Sequence, residues 1–91
     1  MLAKQIIGMK NAGFVITEAI ETELCRGYCI GHNGRQYVTW GYIARGANVD
    51  FYHGHYMMDD RDAPARSKAK ARADLYTRVA EAFAQQAEYG Y

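Results

Sequence analysis

Hydrophobic and polar residues alternate along the middle of this chain and follow a helical period along its last third. Four segments rich in β-branched and aromatic residues carry the alternation: 14–21, 24–30, 36–44 and 49–57. Asn33-Gly34 between the second and third segments predicts a type I′ hairpin turn, because both residues tolerate positive φ. Short connections between neighbouring segments favour an antiparallel meander.

The two ends of the chain predict helices. Residues 1–12 form either a short helix, from Leu2 to Lys10, or an extension, and Met9 is an alternative start. Residues 63–88 predict one long helix, with Asp62 as N-cap and Pro64 in the first turn. Its apolar stripe, flanked by Leu75, predicts the face that covers the sheet: Ala69, Ala73, Tyr76, Val79, Ala80, Phe83 and Ala87.

These elements predict a single α+β domain over residues 1–91. Its fold is a four-stranded antiparallel meander over 14–57, with a short N-terminal helix and the long C-terminal helix packed on one face. Strand alternation places Val38, Trp40 and Tyr42 on one face of the sheet and apolar residues on the other as well. We therefore expect a second buried surface, formed by a homodimer or by another partner.

Composition narrows the function classes. Of the 91 residues, 49% are hydrophobic and 23% charged, which is typical of a globular domain. The net charge of +1 provides no overall field that would recruit nucleic acid or membrane. No apolar run is long enough to span a bilayer and no signal peptide is recognisable, so we expect a cytoplasmic protein without a membrane partner.

Candidate catalytic and metal-binding groups each have a simpler explanation. His53 and His55 could bind a metal with a third ligand such as His32, yet a histidine pair on a solvated strand is common. Cys25 and Cys29 lack the spacing of zinc or redox motifs, so they predict structural thiols. No nucleophile elbow surrounds Ser67 and no phosphate-binding loop occurs. We expect no enzymatic activity, no cofactor and no metal.

Charged and aromatic side chains instead predict a partner-binding surface. Acidic residues precede the long helix and basic residues crowd its first half, whereas Glu81 and Glu88 lie near its end, which opposes the helix dipole. Tyrosines on the sheet could anchor a partner, as they do at interface hot spots. The predicted partner-binding residues are Asp59, Asp60, Arg61, Asp62, Arg66, Lys68, Lys70, Tyr52 and Tyr56.

Three short motifs carry a resemblance to a class of known proteins. They are Tyr-Val-Thr-Trp at 37–40, Gly-His-Tyr at 54–56 and Ala-x-x-Asp-Leu-x-x-Arg at 71–78. The pattern resembles small accessory proteins of phages and mobile elements, a class that includes anti-CRISPR proteins; residues 63–70 depart from it by a longer basic stretch. The resemblance implies a non-enzymatic inhibitor that binds a host defence complex, such as a CRISPR effector. The alternative is a nucleic-acid-binding regulator that uses the basic start of the helix.

Overall fold

The described part of the chain folds into one antiparallel sheet flanked by two helices, as the sequence predicts, but the sheet has five strands instead of four. The computed structural model describes residues 2–57 and 64–89. Strands follow each other across the sheet in chain order. The elements are α1 (Ala3–Ile6), β1 (Lys10–Asn11), β2 (Phe14–Glu23), β3 (Arg26–His32), β4 (Tyr37–Arg45), β5 (Asn48–Tyr56) and α2 (Pro64–Tyr89).

The additional strand lies where the sequence predicts helix. β1 takes Lys10 and Asn11 into an antiparallel pair with β2, so α1 is shorter than the predicted helix over 2–10. Ala12 and Gly13, between the two strands, have φ of 51° and 86°. Two consecutive positive φ values are what a type I′ hairpin requires. The residues that follow the predicted helix therefore form a hairpin turn.

The predicted type I′ turn at Asn33-Gly34 is wrong in its geometry, although the hairpin itself exists. Four residues, 33–36, join β3 to β4, and of the predicted pair only Gly34 has positive φ, at 92°. The Asn33 side chain organises the loop, because its Oδ1 accepts hydrogen bonds from the backbone N–H groups of Arg35 and Gln36, at 3.0 and 2.8 Å. Asparagine here acts through its side chain and does not need a left-handed backbone.

One face of the sheet buries the aromatic core. Val38, Trp40 and Tyr42 of β4 point to this face, as the alternation predicts, and all three are buried. The rings of Phe14 on β2 and Tyr56 on β5 lie 5.8 Å apart, whereas a flat sheet would separate these strands by about 14 Å. The sheet therefore curls until its edges approach each other on this side.

The curled sheet and α1 together bury the apolar face for which the sequence predicts a dimer or a partner. Ile6 of α1 is fully buried in the aromatic core, and Trp40 is only 4% exposed. This face is thus covered by the chain itself, and its apolar residues no longer require a dimer or a partner. Curvature of a sheet is set by twist and bulges along all its strands, so the alternation of one strand does not report it.

The long helix lies across β2, β3 and β4 on the opposite face, but it does so with a different side from the predicted one. The residues that α2 buries are Ser67, Ala71, Leu75, Arg78 and Val79. Of the predicted stripe, Val79 alone is buried; Tyr76 and Phe83 are 48% and 47% exposed, and the four alanines are exposed. Two of the buried positions are polar, so a hydrophobicity pattern assigns them to solvent.

Candidate partner-binding surface

A glycine in the middle of β4 positions Tyr52. Gly41 pairs with Tyr52 of β5 on one side and with Tyr28 of β3 on the other. A Cβ atom built on Gly41 would lie 2.3 Å from Cζ of Tyr52 and 2.7 Å from its hydroxyl oxygen. The tyrosine ring therefore occupies the space of the missing side chain and lies across β4 toward β3. Glycine at a strand interior commonly marks such a close approach.

Beside Tyr52 runs an open groove of about 330 Å³ between the sheet and the second half of α2. Its walls combine two aromatic rings, an ion pair and two amide side chains. We call it the Tyr52 groove and define it by Glu23, Arg26, Tyr28, Tyr52, Gln85 and Gln86. Gln86 ties the helix side to the sheet, because its Nε2 donates to the carbonyl of Thr22 at 3.0 Å.

Arg26 is the cation of the Tyr52 groove. A hydrogen bond with the Tyr52 side chain raises the pKa of the Arg26 guanidinium, and Nε lies 3.7 Å from Oε1 of Glu23. The pKa of Tyr28 is raised by burial and by its proximity to Tyr52. Arginine and tyrosine side chains that other residues hold in place are the groups that dominate protein–protein hot spots. The groove can therefore accept a carboxylate or a polar peptide segment beside an aromatic surface.

A partly buried polar cluster holds α2 on the sheet next to the groove. The Thr39 hydroxyl donates to Oδ2 of Asp74, and the same oxygen lies 3.0 Å from Nδ1 of His55. Nη1 of Arg78 donates to the carbonyl and the hydroxyl of Thr39, at 3.2 and 3.1 Å. The Arg78 guanidinium carbon lies 4.9 Å from the ring centroid of Tyr28, within cation–π range. The cluster fixes the helix and one aromatic wall of the groove together.

The predicted partner-binding residues that the structure describes do not lie on one surface. Tyr52 lines the groove, whereas Tyr56 is 54% exposed on the opposite face, where it contacts Phe14 and Trp40. Arg66, Lys68 and Lys70 are exposed in the first half of α2 and do not line the groove. The remaining four predicted residues lie outside the described residues: Asp59, Asp60, Arg61 and Asp62.

A bulge in β5 explains why the two tyrosines separate. Thr39 pairs with His55, but Gly41 pairs with Tyr52, so β5 contains one residue more than β4 in this interval. His53 has a φ of 50°, in the left-handed region, and it interrupts the strict alternation that sequence reasoning assumes. The two histidines consequently make different contacts: His53 packs on the Tyr52 ring, and His55 pairs with Asp74.

Three side chains that carry a thiol or a hydroxyl lie inside the fold, whereas Cys25 is half-buried. Cys29 and Thr39 are fully buried, and Ser67 is 4% exposed. Burial raises the pKa of the Cys29 thiol to about 12, so the neutral thiol persists at any physiological pH. Cys25 and Cys29 form no disulfide. Within residues 2–57 and 64–89, no three His, Cys, Asp or Glu side chains group closely enough to hold a metal ion.

Sequence reasoning missed most of the groove and of the polar cluster. Arg26, Gln85 and Gln86 look like ordinary surface residues, and Asp74 and Arg78 entered only as letters of the resemblance motif. One available signal was Gly41, since a glycine within a strand of large side chains indicates that another group approaches its backbone.

Comparisons with known proteins place this chain in no family: no family model, curated protein or solved structure matches it. In the part of the chain that the structure describes, no helix has the length and apolar character needed to cross a membrane.

Proposed function

We propose that this chain is a small non-enzymatic inhibitor that binds a host defence complex, most specifically an anti-CRISPR protein, and that the Tyr52 groove is its main contact. The observation that supports this best is the groove itself, with Tyr52 lying against Gly41, Arg26 beside Tyr52 and Tyr28 under Arg78. The motif resemblance at residues 37–40, 54–56 and 71–78 supports the choice of partner class.

Rigidity of the groove favours a binding role. Tyr52 lies against Gly41, Tyr28 lies under Arg78 and Gln86 bonds to the Thr22 carbonyl. These three wall side chains are therefore already restricted, and they lose little side-chain entropy when a partner docks. A volume of about 330 Å³ lies at the small end of known binding pockets, and it suits one or two partner side chains better than a large metabolite. The Cys29 thiol and the Thr39 hydroxyl are buried, so neither can act on a substrate at the surface.

The direct test is binding to a panel of purified CRISPR effector complexes, measured by biolayer interferometry, together with target cleavage by each effector. We expect one effector to form a stable complex and to lose cleavage activity. Arg26→Ala should weaken that complex at least about thirtyfold, as truncation of a hot-spot residue does. Tyr52→Ala should weaken it to a similar extent.

Arg45→Ala is the matched control, because Arg45 is an exposed β4 residue whose Nε lies 2.9 Å from Oδ2 of Asp50. It removes the same charge from a similar surface ion pair outside the groove, and we expect affinity within about threefold of wild type. Absence of binding to every effector in the panel contradicts the proposed function. Binding that survives both groove variants contradicts the assigned surface.

A nucleic-acid-binding regulator is the second candidate, and one observation favours it. Arg66, Lys68 and Lys70 are all exposed, and the first turn of α2 contains no acidic residue. If these three cations contact phosphates, log affinity should fall with log salt concentration with a slope of about −2.7. Gel-shift titrations from low to high salt measure the slope, and failure to bind DNA or RNA at low salt excludes this candidate.

A further inference from the structure

The exposed side of α2 carries a continuous apolar stripe that the sheet does not use. Six residues recur at alternating intervals of four and three, which is the spacing of a coiled-coil seam. We call them the α2 seam: Ala69, Ala73, Tyr76, Ala80, Phe83 and Ala87, all exposed. A helix that packs only on a sheet needs one apolar side. α2 has two, because the sheet is covered by the other side, around Leu75.

We propose that the α2 seam pairs with the same seam of a second copy of this chain, with the two helices antiparallel. The strip from Ala69 to Ala87 is about 27 Å long at the rise of an α-helix. Pairing over that length would bury on the order of 1,000 Å² in total, which is close to the lower limit for specific interfaces. A dimer with a dissociation constant in the micromolar range is expected from an interface of this size.

Side-chain size favours the antiparallel direction. With full overlap of the two seams, Tyr76 lies opposite Ala80 of the second copy, and Phe83 lies opposite Ala73. Ala69 then lies opposite Ala87. Each aromatic ring meets a small residue, so the two surfaces interdigitate without a gap. A parallel pair in register would place aromatic against aromatic and alanine against alanine, which alternates crowding with voids.

Charge favours the same direction. Lys70 and Glu88 are exposed on one flank of the seam, one in the first half of the helix and one near its end. In the antiparallel register each Lys70 lies beside Glu88 of the second copy, twice by symmetry. A parallel pair in register would leave Lys70 and Glu88 of the two copies at opposite ends of the interface. The pairing also explains why basic residues start this helix and acidic residues end it, against its own dipole, since the opposed dipole of the second helix compensates.

Analytical ultracentrifugation of the full chain tests the proposal. The mass should rise from 10.3 kDa toward twice that value as concentration increases through the micromolar range. Ala80→Glu places a carboxylate at the centre of the seam and should weaken the dimer at least about a hundredfold. Phe83→Ser is the second variant, and it should also shift the equilibrium to monomer. Both positions are exposed, and circular dichroism verifies that each variant folds.

Ala47→Glu is the control, because it makes the same substitution at an exposed alanine in the β4–β5 turn. It should leave the dimer unchanged. A chain that stays monomeric up to a concentration of hundreds of micromolar overturns the proposal, and the α2 seam would then bind a different protein. A dimer that survives both seam variants, or that is lost equally in Ala47→Glu, overturns it as well.

A charge exchange tests the direction of the helices. Lys70→Glu alone and Glu88→Lys alone should each weaken the dimer about tenfold, because two attractive contacts become repulsive. The double variant restores opposite charges and should return affinity to within about threefold of wild type. Single variants that are neutral, or a double variant that is weaker than either, overturn the antiparallel arrangement.

Discussion

Replacing Gly41 with alanine tests the contact that shapes the Tyr52 groove. In the wild-type chain a Cβ atom at this position would lie 2.3 Å from Cζ and 2.4 Å from Cε2 of Tyr52. Real Cβ atoms do not approach carbon that closely, so either the backbone of β4 shifts or the ring leaves its site. Both outcomes disturb the groove, and both cost stability.

The magnitude and its sign follow from two opposing effects. Overpacking a well-filled site costs about 1–3 kcal/mol of unfolding free energy. Alanine in place of glycine within a strand otherwise stabilises by about 0.5–1 kcal/mol, because the unfolded chain loses freedom. Gly41→Ala should therefore destabilise the wild type by about 1–2 kcal/mol. In a Tyr52→Ala background the clash is gone, and the same substitution should stabilise by about 0.5 kcal/mol.

A double-mutant cycle measures this coupling. Trp40 is the only tryptophan and is 4% exposed, so its fluorescence reports urea unfolding of all four proteins. The expected coupling energy between Gly41 and Tyr52 is about 2 kcal/mol, with a change of sign between backgrounds. If Gly41→Ala destabilises both backgrounds equally, the cost lies in the backbone and the ring does not occupy the space above Gly41.

Three further predictions concern the interior. Tyr42→Phe should raise the unfolding free energy by about 1 kcal/mol, since the buried Tyr42 hydroxyl has no hydrogen-bond partner in the described chain; a lower urea midpoint than wild type contradicts this. Burial raises the pKa of both Tyr42 and Cys29 to about 12, so the folded state holds these protons more tightly than the unfolded state does. The stability that these protons contribute is complete below about pH 9 and should be lost as the pH rises toward 12. Urea midpoints that stay constant over this interval refute the prediction. Thr39→Val should lower the unfolding free energy by about 1–3 kcal/mol, because the lost hydroxyl bonds both Asp74 and Arg78. Thr39→Ser keeps that oxygen and should cost less; a Thr39→Val urea midpoint equal to that of the wild type contradicts the role of the hydroxyl.

The strands were predictable because their signals are local. Residues 14–21, 36–44 and 49–57 alternate strongly enough that β2, β4 and β5 begin and end within about two residues of expectation. The failures occur where pairing overrides local preference. Lys10 and Asn11 have no strand signal of their own. They join the sheet because the hairpin turn at residues 12 and 13 places them beside the edge of β2, with which they pair.

The partner-binding surface was predictable only in part. Tyr52 entered the prediction as an aromatic residue and does line a groove, but the bulge at His53 places Tyr56 on the other face. Arg26 and Gln85 lie 59 residues apart in sequence, and neither local segment indicates that both residues line the same groove. Such sites depend on which strands become neighbours, and a composition or motif search does not contain that information.

The sequence by itself determined the order of β2 to β5 and α2 and the heptad spacing along α2, because these depend on periodicities of two and about 3.5 residues. Only the tertiary structure decided which side of α2 meets the sheet. Arg78 is buried because Thr39 and Tyr28 lie where its guanidinium can bond and stack, and Leu75 beside it fills the contact with Ile30. A buried arginine depends on partners that are distant in sequence, and so the more apolar stripe was left facing outward.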